Sequence, residues 1–132
     1  MKPTLAASTL IPALAAVVVG LAAPVPVLAN SPDPSGVWLR DDGNARVRIA
    51  PCGSDLCATN LWIKDTSGGE EVGDRLVLTL KPEGADTLKG EAFDPKRNRR
   101  FAMTLTVKPD GLSTRGCIVG VICKTVTWTP AQ

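Results

Sequence analysis

The sequence contains no histidine and no tyrosine. Without histidine the chain lacks the commonest general base, and it cannot form a Ser-His or a Cys-His nucleophile. It also lacks the glycine-rich loop between a strand and a helix that holds phosphate groups. Carboxylates are present, but nearly all lie in turns or at positions that we expect to face water. We therefore expect a protein that is not an enzyme and that uses no cofactor.

The chain has no large excess of charge of either sign, with 15 lysine and arginine residues against 13 aspartate and glutamate residues. This near-neutral balance provides no electrostatic reason to bind nucleic acid or an anionic membrane surface. One basic cluster is present at Lys96–Arg100 (KRNRR). We interpret it as a solvated hairpin tip, with contact to an anionic ligand or to lipopolysaccharide as the alternative.

The N-terminal region has almost no charge. Lys2 is the only charged residue before Asp33, and the residues between them are rich in alanine, valine and leucine. Residues 27–29 (VLA) resemble the small-residue site at which signal peptides are cleaved. This pattern predicts a signal peptide over residues 1–29 that is removed after Ala29. An uncleaved transmembrane anchor is the alternative, because the apolar run is long enough to span a bilayer.

Cleavage is favoured because Pro12, Pro24 and Pro26 interrupt the apolar run and no cluster of positive charge follows it. We expect the mature protein to be exported to the periplasm, without stable insertion in a membrane. Residues 30–35 (NSPDPS) predict a flexible leader, and residues 36–132 have the length of one small domain.

Short runs of apolar and β-branched residues alternate with turn residues through the rest of the chain. In one run, for example, Val47 and Ile49 alternate with arginines, which is the pattern of a strand with one buried and one wet face. No segment shows the 3.6-residue apolar spacing of a capped helix. The predicted strands are Gly36–Asp41, Ala45–Pro51, Cys57–Lys64, Arg75–Lys81, Thr87–Phe93, Arg99–Lys108, Leu112–Val119 and Ile122–Pro130.

Eight short strands joined by tight turns predict an all-β fold, either an eight-stranded antiparallel up-and-down barrel or a sandwich. We favour the barrel because closing a sheet removes the exposed edge strands that this sequence does not otherwise protect. The longest strand-free stretch is Asp65–Asp74 (DTSGGEEVGD), and we expect it to be the most mobile loop.

The four cysteines form two pairs that are close in sequence, Cys52 with Cys57 and Cys117 with Cys123. Each pair flanks a predicted hairpin turn, where opposed residues come within reach of a disulfide. An exported protein meets an oxidising compartment, so we predict two local disulfides. Zinc is the competing interpretation, but the C-x4-C and C-x5-C spacings differ from the usual pattern and no histidine is available. We therefore expect no metal site.

The first predicted strand opens with Gly36-Val37-Trp38. This G-x-W resembles the lipocalin signature, in which the tryptophan plugs the closed end of the barrel and stacks on an arginine from a late strand. The resemblance implies that Trp38 is buried at the closed end and that Gly36 has a structural role. It also implies that Arg115, on the seventh predicted strand, is the stacking partner.

A wider series of residues runs through nearly the whole mature chain. It comprises Gly36-Val37-Trp38, Ala45–Gly53, Leu56-Cys57, Leu61-Trp62, Phe93-Asp94-Pro95, Arg115-Gly116-Cys117 with Gly120 and Cys123, and Thr127-Trp128-Thr129. In order and spacing this series resembles the exported bacterial family called domain of unknown function 2147. The resemblance implies a lipocalin-like eight-stranded barrel in the periplasm, and it brings no catalytic residues. Members of that family usually have a longer excursion where this chain has Asp65–Asp74.

An eight-stranded barrel either fills with its own side chains or holds one small ligand. A hollow barrel of this sequence is expected to bind a small apolar ligand, such as a fatty acid or a lipid fragment, because no inward cluster of charge is evident. The alternative is a protein-binding barrel, such as an inhibitor of lysozyme or of a protease, with Asp65–Asp74 or Ser54-Asp55 as the contact. The candidate ligand-binding residues are Trp38, Leu78, Phe101, Met103, Leu105 and Trp128.

Overall fold

The chain forms a closed barrel of eight antiparallel strands in a computed structural model, which describes residues 2–4, 6, 8–23 and 31–132. Each strand pairs with the next one along the sequence, and the first strand closes the barrel against the last. The predicted all-β up-and-down barrel is confirmed. The strands are β1 (Gly36–Arg40), β2 (Ala45–Cys52), β3 (Asp55–Ile63), β4 (Arg75–Pro82), β5 (Thr87–Asp94), β6 (Arg99–Lys108), β7 (Gly111–Ile118) and β8 (Ile122–Pro130).

The described part of the N-terminal region lies outside the barrel. Its described residues 8–23 are exposed and have neither helix nor strand. Among all described residues, no helix has the length and apolar character needed to cross a membrane. The predicted cleavage site after Ala29 lies outside the described residues. Among the described residues, every strand pair and both disulfides join residues between 36 and 130, so none of them involves residues 8–23.

The two-residue period of the strands builds the core. In β2, Ala45, Val47 and Ile49 are buried, whereas Arg46 and Arg48 between them are exposed, as the sequence predicts. Burying each large aliphatic side chain contributes about 1.5–3 kcal/mol relative to leaving it in water. The buried residues form two separate clusters: Ala45, Val47, Ile49, Ile63, Leu88, Leu105 and Leu112 in one, and Leu78, Ala92 and Met103 in the other.

The barrel has two different ends, because successive antiparallel strands place alternate connections at opposite ends. We call one end the closed end, since apolar side chains fill it, among them Leu88, Leu105 and Leu112. We call the other end the mouth. The connections at the mouth are residues 41–44, 64–74, 95–98 and 119–121, and those at the closed end are residues 53–54, 83–86 and 109–110.

A β-bulge in β3 interrupts the alternation. Arg46 of β2 pairs with Trp62, but the next residue, Val47, pairs with Asn60, so that Leu61 is the extra residue. Leu61 and Trp62 are consequently both exposed on the outer wall, and Ile63 turns back into the core. The guanidinium of Arg46 lies 5.2 Å from the centre of the Trp62 ring, a cation–π contact that covers part of this exposed indole.

Both predicted disulfides are present. Cys52 bonds Cys57 with an S–S distance of 2.05 Å, and Cys117 bonds Cys123 at 2.09 Å. The first bridge closes the β2–β3 turn at the closed end, and the second closes the β7–β8 turn at the mouth. The second pair also consists of directly opposed residues in the β7–β8 register, as expected for a hairpin staple.

The expected stacking of Arg115 on Trp38 is wrong. Trp38 is half-buried, packs against the closed-end core and donates a 2.9 Å hydrogen bond from Nε1 to the Pro34 carbonyl. Arg115 is exposed, because the two-residue period of β7 turns its neighbour Thr114 into the barrel and therefore turns Arg115 out. Gly36 does lie against the Trp38 ring, since a Cβ there would be 3.5 Å from the indole Nε1.

Candidate functional site

A cavity of about 570 Å³ occupies the barrel between the mouth and the closed end. Its volume falls within the range of pockets that hold one small molecule. The wall is mainly apolar and is formed by inward-facing residues of the strands. The apolar residues that line it are Val47, Ile49, Ala58, Leu76, Leu78, Phe101, Met103, Leu105, Ile118, Ile122, Val126 and Trp128.

Five of the six residues predicted to contact a ligand line this cavity. Leu78, Phe101, Met103, Leu105 and Trp128 come together on its wall because each faces inward from its strand. The Phe101 ring lies so close to β7 that a Cβ added to the facing glycine would approach it to 3.0 Å. The sixth predicted residue, the tryptophan of β1, is not part of the cavity lining and packs at the closed end.

Polar groups in the deeper wall are already hydrogen-bonded to one another. The indole Nε1 of Trp128 donates a 2.9 Å hydrogen bond to the Thr114 hydroxyl, and both side chains line the cavity. Within the described residues, no buried side-chain nitrogen or oxygen lacks a hydrogen-bond partner. The deeper wall therefore offers no unsatisfied group to a polar ligand, and an apolar ligand is the one that it can accept without cost.

The mouth carries charge that the sequence analysis did not anticipate. Arg40 lines the cavity, and its Nη2 donates a 2.7 Å hydrogen bond to Glu70 Oε2 while Nη1 donates to the other carboxylate oxygen. Its Nε donates to Asp42 at 2.9 Å. The hydrogen bonds from Arg40 hold the pKa of Glu70 and the pKa of Asp42 below their ordinary values.

The β3–β4 connection is tied to the mouth rather than loose. Besides the bond between Arg40 and Glu70, Arg97 donates a 2.8 Å hydrogen bond from Nη2 to the Gly69 carbonyl. The backbone N–H of Asn60 donates to the Asp74 carbonyl at 2.9 Å, which holds the far end of the connection. These hydrogen bonds attach the connection to β1, to β3 and to the β5–β6 turn, and its mobility stays a prediction.

The basic cluster at residues 96–100 is partly used in the same way. Lys96 Nζ lies 3.0 Å from Asp74 Oδ1, and Arg97 Nη1 lies 2.9 Å from Asp94 Oδ2. The pKa of Asp74 is lowered first by a hydrogen bond from the Glu71 backbone N–H and then by Lys96. Two members of the cluster therefore help to join the rim together, while all five stay exposed at the β5–β6 turn, as expected for a solvated hairpin tip.

Acid is expected to loosen the rim. Because the pKa of Glu70 is lowered in the folded protein, its ion pair stabilises the fold above the unfolded-state pKa of about 4.3 and is lost as pH falls through the lower folded-state value. Glu70→Gln should cost about 1 kcal/mol at neutral pH, since the pair is partly exposed to solvent.

Urea unfolding of both proteins across the acid range measures this effect. The free energies of unfolding should differ at neutral pH and should converge in acid, below the lowered folded-state pKa of Glu70, where the wild-type carboxylate is protonated as well. A difference that stays constant over the whole range would show that Glu70 acts through its shape and not through its charge.

Polar residues of the strands that line the cavity were missed by the sequence reasoning, among them Arg40, Asn60, Thr114 and Lys124. The two-residue period of the strands would have predicted that these four face inward, because each stands two residues from an inward apolar residue of its own strand. For Lys124 that residue is Val126. The signal was overlooked because polar and charged residues in strands usually face water.

Comparison with known protein families matches the barrel from its first strand to its last. The matching family model is described as an uncharacterized protein conserved in bacteria (DUF2147) and covers residues 36–130. No match was found among curated proteins or among solved structures. Two disulfides in a bacterial protein also indicate a location outside the cytoplasm. The chain thus belongs to the DUF2147 family of bacterial proteins, as its cysteine, glycine and tryptophan pattern had indicated.

Proposed function

We propose that this barrel binds one small apolar ligand, such as a fatty acid or a lipid fragment, in its central cavity. The observation that carries the proposal is a cavity of about 570 Å³ whose apolar wall leaves no buried polar side chain unpaired within the described residues. A packed barrel of this size would have no such space. The cavity also opens at the mouth, which gives a ligand a route in.

A singly charged head group suits the mouth. Lys124 lines the cavity where β8 reaches the mouth, and it is exposed. Within the described residues it has no ion pair, although its charge interacts with nearby Asp42, which already receives hydrogen bonds from Arg40. A carboxylate at the mouth would find this lysine free to pair with it, while an acyl chain lies against the wall below.

Lys124→Glu is therefore expected to weaken the binding of an environment-sensitive fluorescent fatty acid about tenfold, because it replaces an attraction by a repulsion. Fluorescence titration of the purified barrel measures this change. Lys108→Glu is the matched control, since Lys108 is an exposed lysine at the closed end of β6. Equal weakening by both variants would mean that only overall charge matters.

Organic extraction of the protein purified from its native host tests the proposal directly. Mass spectrometry of the extract should identify a copurifying amphiphile in an amount close to one per barrel. A protein that yields no lipid and also fails to take up the fluorescent fatty acid would contradict ligand binding. It would favour the alternative of a protein-binding barrel that inhibits a lysozyme or a protease.

That alternative has less support from the rim. Two acidic residues of the β3–β4 connection, Glu70 and Asp74, are engaged by Arg40 and Lys96 and are not free to meet a partner. We also propose that the barrel has no catalytic activity of its own. The carboxylates at the cavity, among them Asp94, already accept hydrogen bonds from the rim, whereas acid–base chemistry needs a carboxylate that can reach the substrate.

We further propose that the protein works in the periplasm after cleavage behind Ala29. The apolar N-terminal residues, which stand outside the barrel, and the two disulfides support this location. Amino-terminal sequencing of the protein from a periplasmic extract should begin at Asn30, and a protein that retains Met1 would contradict the proposal.

A further inference from the structure

The β7–β8 hairpin ends in an exposed apolar tip at the mouth of the barrel. Ile118 is 48% exposed, Val119 85%, Val121 82% and Ile122 70%. We call these residues, together with Gly120 between them, the hairpin tip. Directly beneath it the second disulfide joins the two strands, so the tip projects from a covalently stapled base. Burial in the core does not account for several aliphatic side chains that are exposed to solvent at one short turn, and such a patch indicates a binding surface.

The backbone at Val119 strengthens this argument. Its φ is 54°, in the left-handed region that β-branched residues rarely adopt, and Gly120 follows with a φ of 72°. Asparagine or glycine would fit the position with less strain. The chain thus has a valine at a place where it is unfavourable for the turn, with its side chain almost entirely in solvent. Because so little of this side chain is buried, packing in the barrel does not explain the valine, and a contact outside the barrel would explain it.

The tip is continuous with the cavity. Ile118 and Ile122 line the cavity at its mouth as well as being exposed. The tip and the cavity wall therefore share apolar side chains at the mouth. A partner that covers the tip would lie directly at the entrance through which a ligand passes.

Basic residues lie beside the tip. The β6–β7 pairing ends at Ala102 and Cys117, the residue before the hairpin tip, and Arg100 stands two residues before Ala102 at the mouth end of β6. Arg99 lies next to it on β6. Both arginines are exposed, and neither has an ion pair within the part of the chain that the structure describes, although Arg100 also covers the Phe93 ring at 4.3 Å. This part of the rim therefore joins apolar side chains to uncompensated positive charge.

From these observations we propose that the hairpin tip docks the mouth of the barrel reversibly onto an anionic lipid bilayer. Aliphatic side chains flanked by arginines match the boundary between acyl chains and negatively charged head groups. A single projecting turn is much smaller than the roughly 800 Å² per partner that a stable protein interface buries, so a protein partner fits less well. The near-neutral charge of the whole chain concealed this local arrangement.

Vesicle flotation tests the proposal with residues 30–132, which contain every strand of the barrel. Vesicles of phosphatidylglycerol and phosphatidylethanolamine should retain the protein, and vesicles of phosphatidylcholine alone should retain much less. Val119→Asn should weaken retention about tenfold, since it removes the most exposed apolar side chain from the tip. The same variant should unfold at an equal or a higher temperature, because asparagine accepts the left-handed conformation more readily than valine.

Val72→Asn is the matched control, since Val72 is an exposed valine in the β3–β4 connection, which the strand order places across the mouth from the tip. It should leave retention nearly unchanged. Arg99→Glu and Arg100→Glu should each weaken retention on anionic vesicles about fivefold, with no effect on the neutral ones.

The outcomes separate docking from ligand binding. Docking should persist in protein whose cavity has been emptied by organic extraction or blocked by a substitution, so failure of the ligand proposal would not remove it. If the wild-type protein did not bind anionic vesicles, the proposal would be overturned. A protein partner would then be the remaining candidate to bind the hairpin tip. Equal losses in Val72→Asn and Val119→Asn would also overturn it, because the hairpin tip would then have no special part in binding.

Discussion

Replacing Gly90 with alanine is expected to destabilise the barrel by about 3 kcal/mol or more, an unusually large effect for the addition of one methyl group. Gly90 lies in β5 between β4 and β6. A Cβ at this position would collide with the Thr79 carbonyl oxygen and would lie 3.2 Å from the Leu80 Cα. Both atoms belong to the backbone of the neighbouring strand, so no side chain can rotate away to make room, and the β4–β5 pairing itself must shift.

Urea unfolding followed by tryptophan fluorescence measures the change. Gly68→Ala is the matched control, because a Cβ on Gly68 would meet no atom within 4 Å. The control should unfold close to the wild-type midpoint, whereas Gly90→Ala should unfold at a much lower urea concentration or should fail to fold. If Gly90→Ala left the urea midpoint of unfolding unchanged, β4 and β5 would have to lie further apart in solution than they do in the structure.

Replacing Leu78 with tryptophan is expected to abolish the uptake of a fluorescent fatty acid while the barrel stays folded. Leu78 is 2% exposed, faces inward from β4 and lines the cavity. A larger side chain at this position would extend into the space that we assign to the ligand. Because the cavity can take up the added volume, the free energy of unfolding should change by less than the roughly 1–3 kcal/mol that overpacking costs in a filled core.

The neighbouring residue supplies the control for that experiment. Thr79 is exposed on the outer face of the same strand, so Thr79→Trp adds the same side chain without entering the cavity. It should bind the probe as the wild type does. If Leu78→Trp lost stability and the wild type bound no probe, the interior would have to be packed in solution, and the ligand proposal would fail.

The strands were predictable because their signals are local. Alternation and turn residues located β6 and β8 with their observed bounds, Arg99–Lys108 and Ile122–Pro130. The disulfide pairing was predictable for the same reason, since each pair spans one turn. Five of the six predicted cavity residues followed from the same two-residue period, which needs no knowledge of the neighbouring strand.

Features that depend on distant parts of the chain were not predictable. Strict alternation in β3 would have turned Trp62 inward, but the bulge at Leu61 turns it out, and that bulge is defined only by the pairing with β2. The bonds between Arg40 and Glu70 join residues 30 positions apart. The Arg115 error had a different origin, because a role taken from a resemblance was assigned without testing which way the strand turns its side chain.

The seam between the two ends of the chain has a consequence for the kinetics of folding. β1 and β8 meet through the pairs Trp38–Pro130, Leu39–Thr129 and Arg40–Trp128, whereas every other neighbouring pair is a hairpin of consecutive strands. Hairpins close short loops and form early, but this seam must bring together residues from opposite ends of the domain. We therefore expect the joining of β1 to β8 to be the slow step, after which the sheet first encloses a volume.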